Sequence, residues 1–203
     1  MESVKTPVKT LGVTGGIGSG KSAVCKELEE LGAAVFSADQ VAKHIMVSDP
    51  GAREEIIHAF GAESYLPDGA LNRAYLAQTV FGDEAQVATI NGIVHPRVFQ
   101  AFQEQKKHCK APLLVHEAAL IFESGGYKHL DAVLVVHAPL EIRIQRVIAR
   151  DGASRQHVLD RMGHQLPAEE LLRRADYVIN NDSDLDTLRQ RVQEFYNLYV
   201  AIK

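Results

Sequence analysis

The sequence predicts an α/β fold in which a five-stranded parallel sheet is wrapped by helices and carries a long helical insert and a lid. Three observations lead to this expectation. A strand, a glycine-rich loop and a helix follow one another near the start of the chain. Further on, short apolar runs alternate with stretches of helical spacing, as in parallel sheets. The run 131–137 is almost continuously apolar, which is typical of a strand buried on both faces.

The glycine loop is the feature around which the chain is organised. It reads Gly15-Gly16-Ile17-Gly18-Ser19-Gly20-Lys21-Ser22, the G-x-x-x-x-G-K-S pattern of a phosphate-binding P-loop, and predicts the P-loop NTPase fold. A predicted strand over 8–13, with Val8, Leu11 and Val13 apolar, precedes it, and 23–31 has helical spacing. Backbone N–H groups cradle phosphates in such a loop, the lysine reaches the β- and γ-phosphates, and the serine hydroxyl ligates Mg²⁺. We expect the nucleotide at Gly16, Ile17, Gly18, Ser19, Gly20, Lys21 and Ser22, with Ser22 as the metal ligand.

Composition limits the class of protein. The 203 residues are 46% hydrophobic and 24% charged, as expected of a soluble domain with one insert. A net charge of -4 argues against a general nucleic-acid binder. Cys25 and Cys109 form no metal-binding pattern, and residues 1–7 contain no signal-peptide core. We expect a cytoplasmic protein that uses neither nucleic acid nor a membrane as a partner.

An acidic residue follows the second predicted strand, Ala33–Phe36. Asp39 either caps a helix over 40–47 or acts at the carboxyl end of the strand, where α/β sheets place their ligands. In the second interpretation it orients or deprotonates an acceptor hydroxyl, or holds a water of Mg²⁺. Its position alone leaves both interpretations open.

Residues 48–110 show helical spacing throughout and no strand pattern. We predict helices over 50–60, 71–81 and 86–94, and a fourth that Pro96 opens. An insert of this kind is either a substrate lobe that closes on the phosphates or a structural helical layer.

The second half of the chain continues the alternation of strands and helices. Strands are predicted over 112–116, 131–137 and 176–180, and a closing amphipathic helix begins at Leu185. Glu117 follows the first of these strands and is a candidate acid near the metal. Asn181, in the turn after the last strand, is expected to meet the nucleotide base.

Arginines gather after the fourth predicted strand. Arg143, Arg146 and Arg150 share one side of a helix that Pro139 opens, and Arg155 and Arg161 follow. Such a group is either a lid that clamps transferring phosphate or a solvated basic face.

Taken together, these stretches resemble the dephospho-CoA kinase family from about Leu11 to about Val192. The resemblance is carried by the loop with its flanks, Ala38-Asp39, His95-Pro96, Leu120-Ile121-Phe122-Glu123, Arg146, Arg150-Asp151-Gly152, Arg161 with Gln165, and Ala175–Ile179 with Asn181. It implies transfer of the γ-phosphate of ATP to the ribose 3′-hydroxyl of dephospho-CoA. It also implies a core of 8–47, 111–139 and 168–203, a CoA-binding lobe of 48–110 and a lid of 140–167.

The resemblance also assigns roles to residues. Asp39 matches the acid proposed to activate the hydroxyl, and Lys21, Arg146 and Arg161 match phosphate-stabilising positions. The substrate-binding residues that it implies are Arg73, His95, Leu120, Ile121 and Phe122. ATP, Mg²⁺ and dephospho-CoA are the implied cofactors and partners, and we expect a monomer or a weak homo-oligomer. The alternatives are a kinase for another small acceptor, such as a nucleoside monophosphate, and a non-catalytic nucleotide-binding protein.

Three positions depart from the family's usual pattern. Ser37-Ala38-Asp39 replaces Asp-Ala-Asp, Glu117-Ala118-Ala119 replaces an aspartate followed by Ile-Pro, and Asn72-Arg73 replaces Asp-Arg. None of them touches the loop, Asp39 or the lid arginines, so we expect activity to be retained.

Overall fold

A computed structural model describes residues 8–80 and 82–201 and confirms the α/β fold. Five strands form one sheet in the order β2-β3-β1-β4-β5. The strands are β1 (Lys9–Thr14), β2 (Ala34–Ser37), β3 (Leu113–Glu117), β4 (Ala132–His137) and β5 (Tyr177–Asn180). Strand β1 pairs in parallel with β3 and β4, and β4 pairs in parallel with β5. The glycine loop therefore leaves the carboxyl end of the central strand.

Helices connect the strands and fill the insert. Within the described residues they are α1 (Lys21–Glu30), α2 (Ala38–Ser48), α3 (Pro50–Phe60), α4 (Arg73–Val80), α5 (Glu84–His108), α6 (Leu140–Asp151), α7 (Arg155–Met162), α8 (Ala168–Arg174) and α9 (Leu185–Ala201). Short 3₁₀ turns lie at Ala62–Ser64 and Gly126–His129. No helix in the described part of the chain is long and apolar enough to cross a membrane.

The chain divides into two compact units. The first comprises the chain up to Phe36 and from Cys109 onward, and the second is Ser37–His108. The sequence assigns residues 38–47 to the core, whereas in the structure α2 belongs to the second unit because it packs on α3 and α5. The finer division into core, CoA-binding lobe and lid stays a proposal.

The core of the first unit surrounds the central strands. Leu11, Leu113 and Leu134 are fully buried, as expected when helices cover both faces of a parallel sheet. Helices α1 and α9 pack against each other in this unit. The hydroxyl of Tyr199 donates to the carbonyl of Thr10 at 3.1 Å, which anchors α9 to β1. The sheet thus holds the start of the glycine loop rigidly.

The largest difference from the predicted elements is in the insert. Pro96 does not open a helix, because α5 runs through it without a break. The proline removes one hydrogen bond of the ladder. The next residue, Arg97, donates to the Ile93 carbonyl at 2.7 Å and pairs with Glu55 at 2.8 Å. Helix α5 also packs on α2, α3 and α4, so tertiary contacts outweigh the local signal. Phe81, the predicted end of the helix over 71–81, lies outside the described residues.

The two cysteines differ in environment, which gives a test of the core. Cys25 on α1 is 5% exposed in the core, whereas Cys109 is half-buried. Burial raises the pKa of the Cys25 thiol to about 12. Because the thiolate is the reactive form, we expect a disulfide reagent at pH 8 to label Cys109 and to spare Cys25 until the protein unfolds. Thiol release followed by absorbance would measure this, and rapid labelling of a folded Cys109→Ser variant would contradict it.

Candidate active site

The glycine loop has the shape of an anion site. It links the end of β1 to the first residue of α1, and the Ser19 N–H donates to the Gly16 carbonyl at 3.0 Å within the turn. Gly18 and Gly20 have φ values of 80° and 96°, which side-chain-bearing residues rarely adopt. The positive end of α1 begins at the same point. The loop can therefore present backbone N–H groups and a helix terminus to phosphate.

Neighbouring groups come so close to this loop that a side chain at three of its glycines would require them to move. A Cβ atom at Gly16 would collide with the guanidinium of Arg143, and one at Gly18 would collide with the Arg143 carbonyl. At Gly20 it would collide with the side-chain amide of Asn181. The glycines serve tertiary packing as well as the turn.

The loop's own polar side chains lie where the sequence predicts them. Lys21 folds over the loop, and its ammonium donates to the Gly15 carbonyl at 2.9 Å. Ser22 is exposed in the first turn of α1. Both can face a phosphate chain that enters the loop, the lysine as a charge and the serine as an oxygen ligand.

Asn181 joins the end of β5 to the loop. Its backbone N–H donates to the His137 carbonyl at 2.7 Å, and its side-chain NH₂ donates to the Ser19 carbonyl at 2.8 Å. Its two oxygens accept from Arg146, the backbone carbonyl at 3.1 Å and Oδ1 at 3.3 Å. The side chain is only 6% exposed and binds protein at both ends. This arrangement favours a supporting role, and contact with the nucleotide base stays a prediction.

The predicted lid arginines fall into two electrostatic groups. In the first, Arg146 binds the oxygens of Asn181, and Arg143 donates to the Ile17 carbonyl at 3.0 Å. Within the described residues neither forms an ion pair with a carboxylate. Burial lowers the pKa of Arg143. These two arginines keep uncompensated positive charge beside the loop.

In the second group, Arg150 and Arg161 share one carboxylate, that of Asp151. The ion-pair distances are 2.6 Å and 2.8 Å. The two guanidinium groups hold the pKa of Asp151 well below its usual range. Arg161 is thus partly neutralised, and of the two predicted phosphate-stabilising arginines, Arg146 has the more available charge.

The oxygen donors near the loop suit Mg²⁺. Glu117 is the last residue of β3 and lies in register with Val13 of β1, while Ser22 supplies a hydroxyl on α1. Among the residues that the structure describes, no group of three or more His, Cys, Asp or Glu side chains could hold a metal ion. Mg²⁺ needs no such group, because it keeps several waters and binds one or two carboxylates together with substrate phosphates. The donor set is chemically compatible with that ion.

Asp39 is not the N-cap of its helix. Helix α2 begins at Ala38 and its N-cap is Ser37, so Asp39 lies within the first turn and the capping hypothesis is wrong. The carboxylate is exposed, and it has no hydrogen-bond or ion-pair partner among the described residues. In residues 8–80 and 82–201, no structural bond to this carboxylate competes with chemistry.

The predicted substrate-binding residues are spread over both units. Arg73 and His95 are exposed residues of α4 and α5 in the second unit. Leu120 is 43% exposed in the first unit, whereas Ile121 is fully buried and Phe122 is 5% exposed. Of these three apolar residues, only Leu120 offers its side chain to a ligand. Substrate contacts at all five positions stay predictions.

One residue near the loop has no assigned role in the sequence analysis. The side-chain oxygen of Gln165 accepts from the Ile17 N–H at 2.7 Å. Its side-chain NH₂ donates to the Ala119 carbonyl at 3.4 Å. The sequence signal for it is its place beside Arg161 in the family resemblance, four residues further along the chain, which assigns it no role.

Comparisons with known proteins agree on one family. A family model described as dephospho-CoA kinase matches residues 9–187. A dephospho-CoA kinase of Salinibacter ruber is 52% identical over 190 residues, covering 92% of this chain and 96% of that protein. The crystal structure of a Thermus thermophilus protein is similar with a TM-score of 0.85 at 35% identity, covering 96% of this chain and 98% of that one. A dephospho-CoA kinase from Campylobacter jejuni gives a TM-score of 0.69 at 28% identity, over 94% and 96%.

The different partners of the arginines predict different effects on ATP binding. Arg146→Ala removes a charge with neutral partners, and we expect it to weaken ATP binding roughly ten- to a hundredfold, since hydrogen bonds to charged groups are the strong ones. Arg161→Ala removes a charge already paired with Asp151 and should weaken binding by less. Isothermal titration calorimetry would measure both.

The matched control for these variants is Arg155→Ala. Among the described residues, this exposed arginine on α7 pairs with Glu141 alone, and its loss should leave ATP affinity unchanged. A larger loss from Arg161→Ala than from Arg146→Ala would contradict the charge argument.

Proposed function

The chain belongs to the dephospho-CoA kinase family, and we propose that its glycine loop holds ATP while the Ser37–His108 unit binds dephospho-CoA. The enzyme transfers the γ-phosphoryl group of ATP to the ribose 3′-hydroxyl of dephospho-CoA and releases CoA and ADP, the last step of CoA biosynthesis. The observation that carries the assignment of roles is the intact phosphate-binding loop with its uncompensated cations Arg143 and Arg146.

Bond making and breaking require little covalent chemistry from the protein. The 3′-oxygen forms a bond to the γ-phosphorus, and the bond from that phosphorus to the β–γ bridging oxygen breaks, so that ADP leaves. The hydroxyl proton passes to the carboxylate of Asp39, which later releases it to water. The carboxylate is exposed and has no partner in the part of the chain that the structure describes, which supports this role.

Charge stabilisation is the main task of the remaining residues. Backbone N–H groups of the loop and Lys21 bind the β- and γ-phosphates, and Arg146 stabilises the charge that spreads over the transferring group. The hydroxyl of Ser22, with Glu117 acting through water, would hold Mg²⁺. When bound, that ion neutralises charge on the β and γ oxygens.

The segment 140–167 acts as a lid in this proposal. It contains α6 and α7, which carry the arginines. Its closure excludes water, so that ATP is not hydrolysed before the acceptor binds. We propose that the enzyme works as a monomer or a weak homo-oligomer.

The reaction is tested by the release of ADP from Mg-ATP with different acceptors. We expect strong stimulation by dephospho-CoA and a product whose added phosphate is at the 3′ position. AMP, other nucleoside monophosphates and buffer alone serve as controls. Stimulation by one of those nucleotides in place of dephospho-CoA would reassign the acceptor, and ATP binding without turnover on any acceptor would favour a binding protein.

The proposed base gives a second test. Asp39→Asn keeps the shape of the side chain but removes its capacity to take a proton, and we expect kcat to fall roughly 10²- to 10⁴-fold. The midpoint of thermal unfolding should hardly change, because the carboxylate is exposed and bonded to no described residue. Asp68→Asn, at an exposed turn in the same unit, is the matched control. Near-normal turnover of Asp39→Asn would show that another group accepts the proton.

A further inference from the structure

We propose that Gln165 is a positioning residue for ATP: it fixes the peptide group of Ile17 and thereby keeps the glycine loop in its phosphate-binding shape. The inference rests on the proposed function, because it takes the loop as the ATP site. Gln165 takes part in no covalent step of the reaction.

Ile17 is held on all sides by residues beyond the loop. Its N–H donates to the Gln165 side chain at 2.7 Å, and its carbonyl accepts from Arg143 at 3.0 Å. Its side chain packs on a small cluster formed by residues of α6 and α7, Ile144, Val147 and Val158. One residue of the loop is therefore bound through both backbone polar groups and its side chain.

This residue is the only non-glycine in the first half of the loop, between Gly16 and Gly18. Glycines on either side leave the backbone free to rotate, so the direction of the following N–H groups depends on a fixed point nearby. The bond to Gln165 also engages the Ile17 N–H within the protein. The backbone N–H groups that remain available to phosphate therefore begin at Gly18.

Gln165 connects this fixed point to a second loop. Its NH₂ group donates to the Ala119 carbonyl at 3.4 Å, and that carbonyl also accepts from Thr14 at 3.3 Å. The next residue, Leu166, donates its N–H to Glu123 at 3.0 Å. The turn after α7 is thus tied to the segment that follows β3 and to the end of β1. Arg161, near the end of α7, precedes Gln165 by four residues along the chain.

The test compares Gln165→Ala with the matched control Gln156→Ala. Gln156 is an exposed residue of the same lid, and its side chain bonds to Asp160 alone within the described ranges. We expect Gln165→Ala to raise KM for ATP roughly three- to tenfold, as for one lost hydrogen bond, and to leave KM for dephospho-CoA and the unfolding temperature nearly unchanged. Gln156→Ala should change none of these.

A structural readout comes from the Ile17 amide in the ligand-free protein. Hydrogen exchange followed by ¹⁵N NMR should become faster at Ile17 in Gln165→Ala. Gln165→Glu keeps an acceptor oxygen at the same place and should retain the protection. Unchanged exchange in Gln165→Ala would overturn the proposal, and so would equal rises in both KM values with a lower unfolding temperature.

A measurement of ATP binding alone separates a failure of the proposed reaction from a failure of the role proposed for Gln165. Calorimetric titration with ATP alone needs no acceptor, so it reports on the loop even if dephospho-CoA is not phosphorylated. Weaker ATP binding by Gln165→Ala supports the positioning role in either case, and equal affinity of this variant and the wild type refutes it.

Discussion

The close approach of distant residues to the backbone of the glycine loop is the constraint on which the rest of the site depends. Asn181 reaches the Ser19 carbonyl past Gly20, and Arg143 lies against Gly16 and Gly18. Glycine permits these contacts because it lacks Cβ, but its backbone loses the most freedom on ordering. The hydrogen bonds from β5 and α6 offset that loss. The loop therefore owes its shape to the whole of the first unit.

The positions of individual charges around the loop matter more for this site than the net charge of the chain. The chain has a net charge of -4, yet Arg143 and Arg146 beside the loop bind neutral carbonyl and amide oxygens. Arg150, Arg161 and Arg173, by contrast, pair with carboxylates at the surface. Exposed ion pairs are worth little and are screened by salt, whereas half-buried cations interact strongly with an incoming phosphate. An acidic protein can in this way bind a polyanion.

The sequence predicts the elements that neighbouring residues determine, but it does not predict contacts between residues that are far apart along the chain. The alternation of strands and the loop motif follow from short-range patterns, and Pro50–Phe60 forms a helix as its spacing indicates. The continuity of α5 through Pro96 does not, because it depends on packing against three other helices. The bond from Asn181 to Ser19 joins residues 162 positions apart, and that from Gln165 to Ile17 spans 148. No periodicity encodes such a pair, so the family resemblance points to Gln165 and Asn181, but their bonds to the loop are visible only in the fold.

The three departures from the family pattern lie at the start of α4, at the start of α2 and at the end of β3. Asn72 accepts from the Tyr75 N–H at 3.2 Å and so caps α4, a task that Asn and Asp perform equally well. Its NH₂ also donates to the Glu63 carbonyl at 3.0 Å, a bond that aspartate cannot make. Ser37 occupies the N-cap position of α2, and its side chain forms no capping hydrogen bond there. Glu117 is one methylene longer than aspartate, and an acid that acts on Mg²⁺ through an intervening water can absorb that length. Asn72 thus preserves the start of α4 and Glu117 preserves a carboxylate at the end of β3, whereas Ser37 removes one.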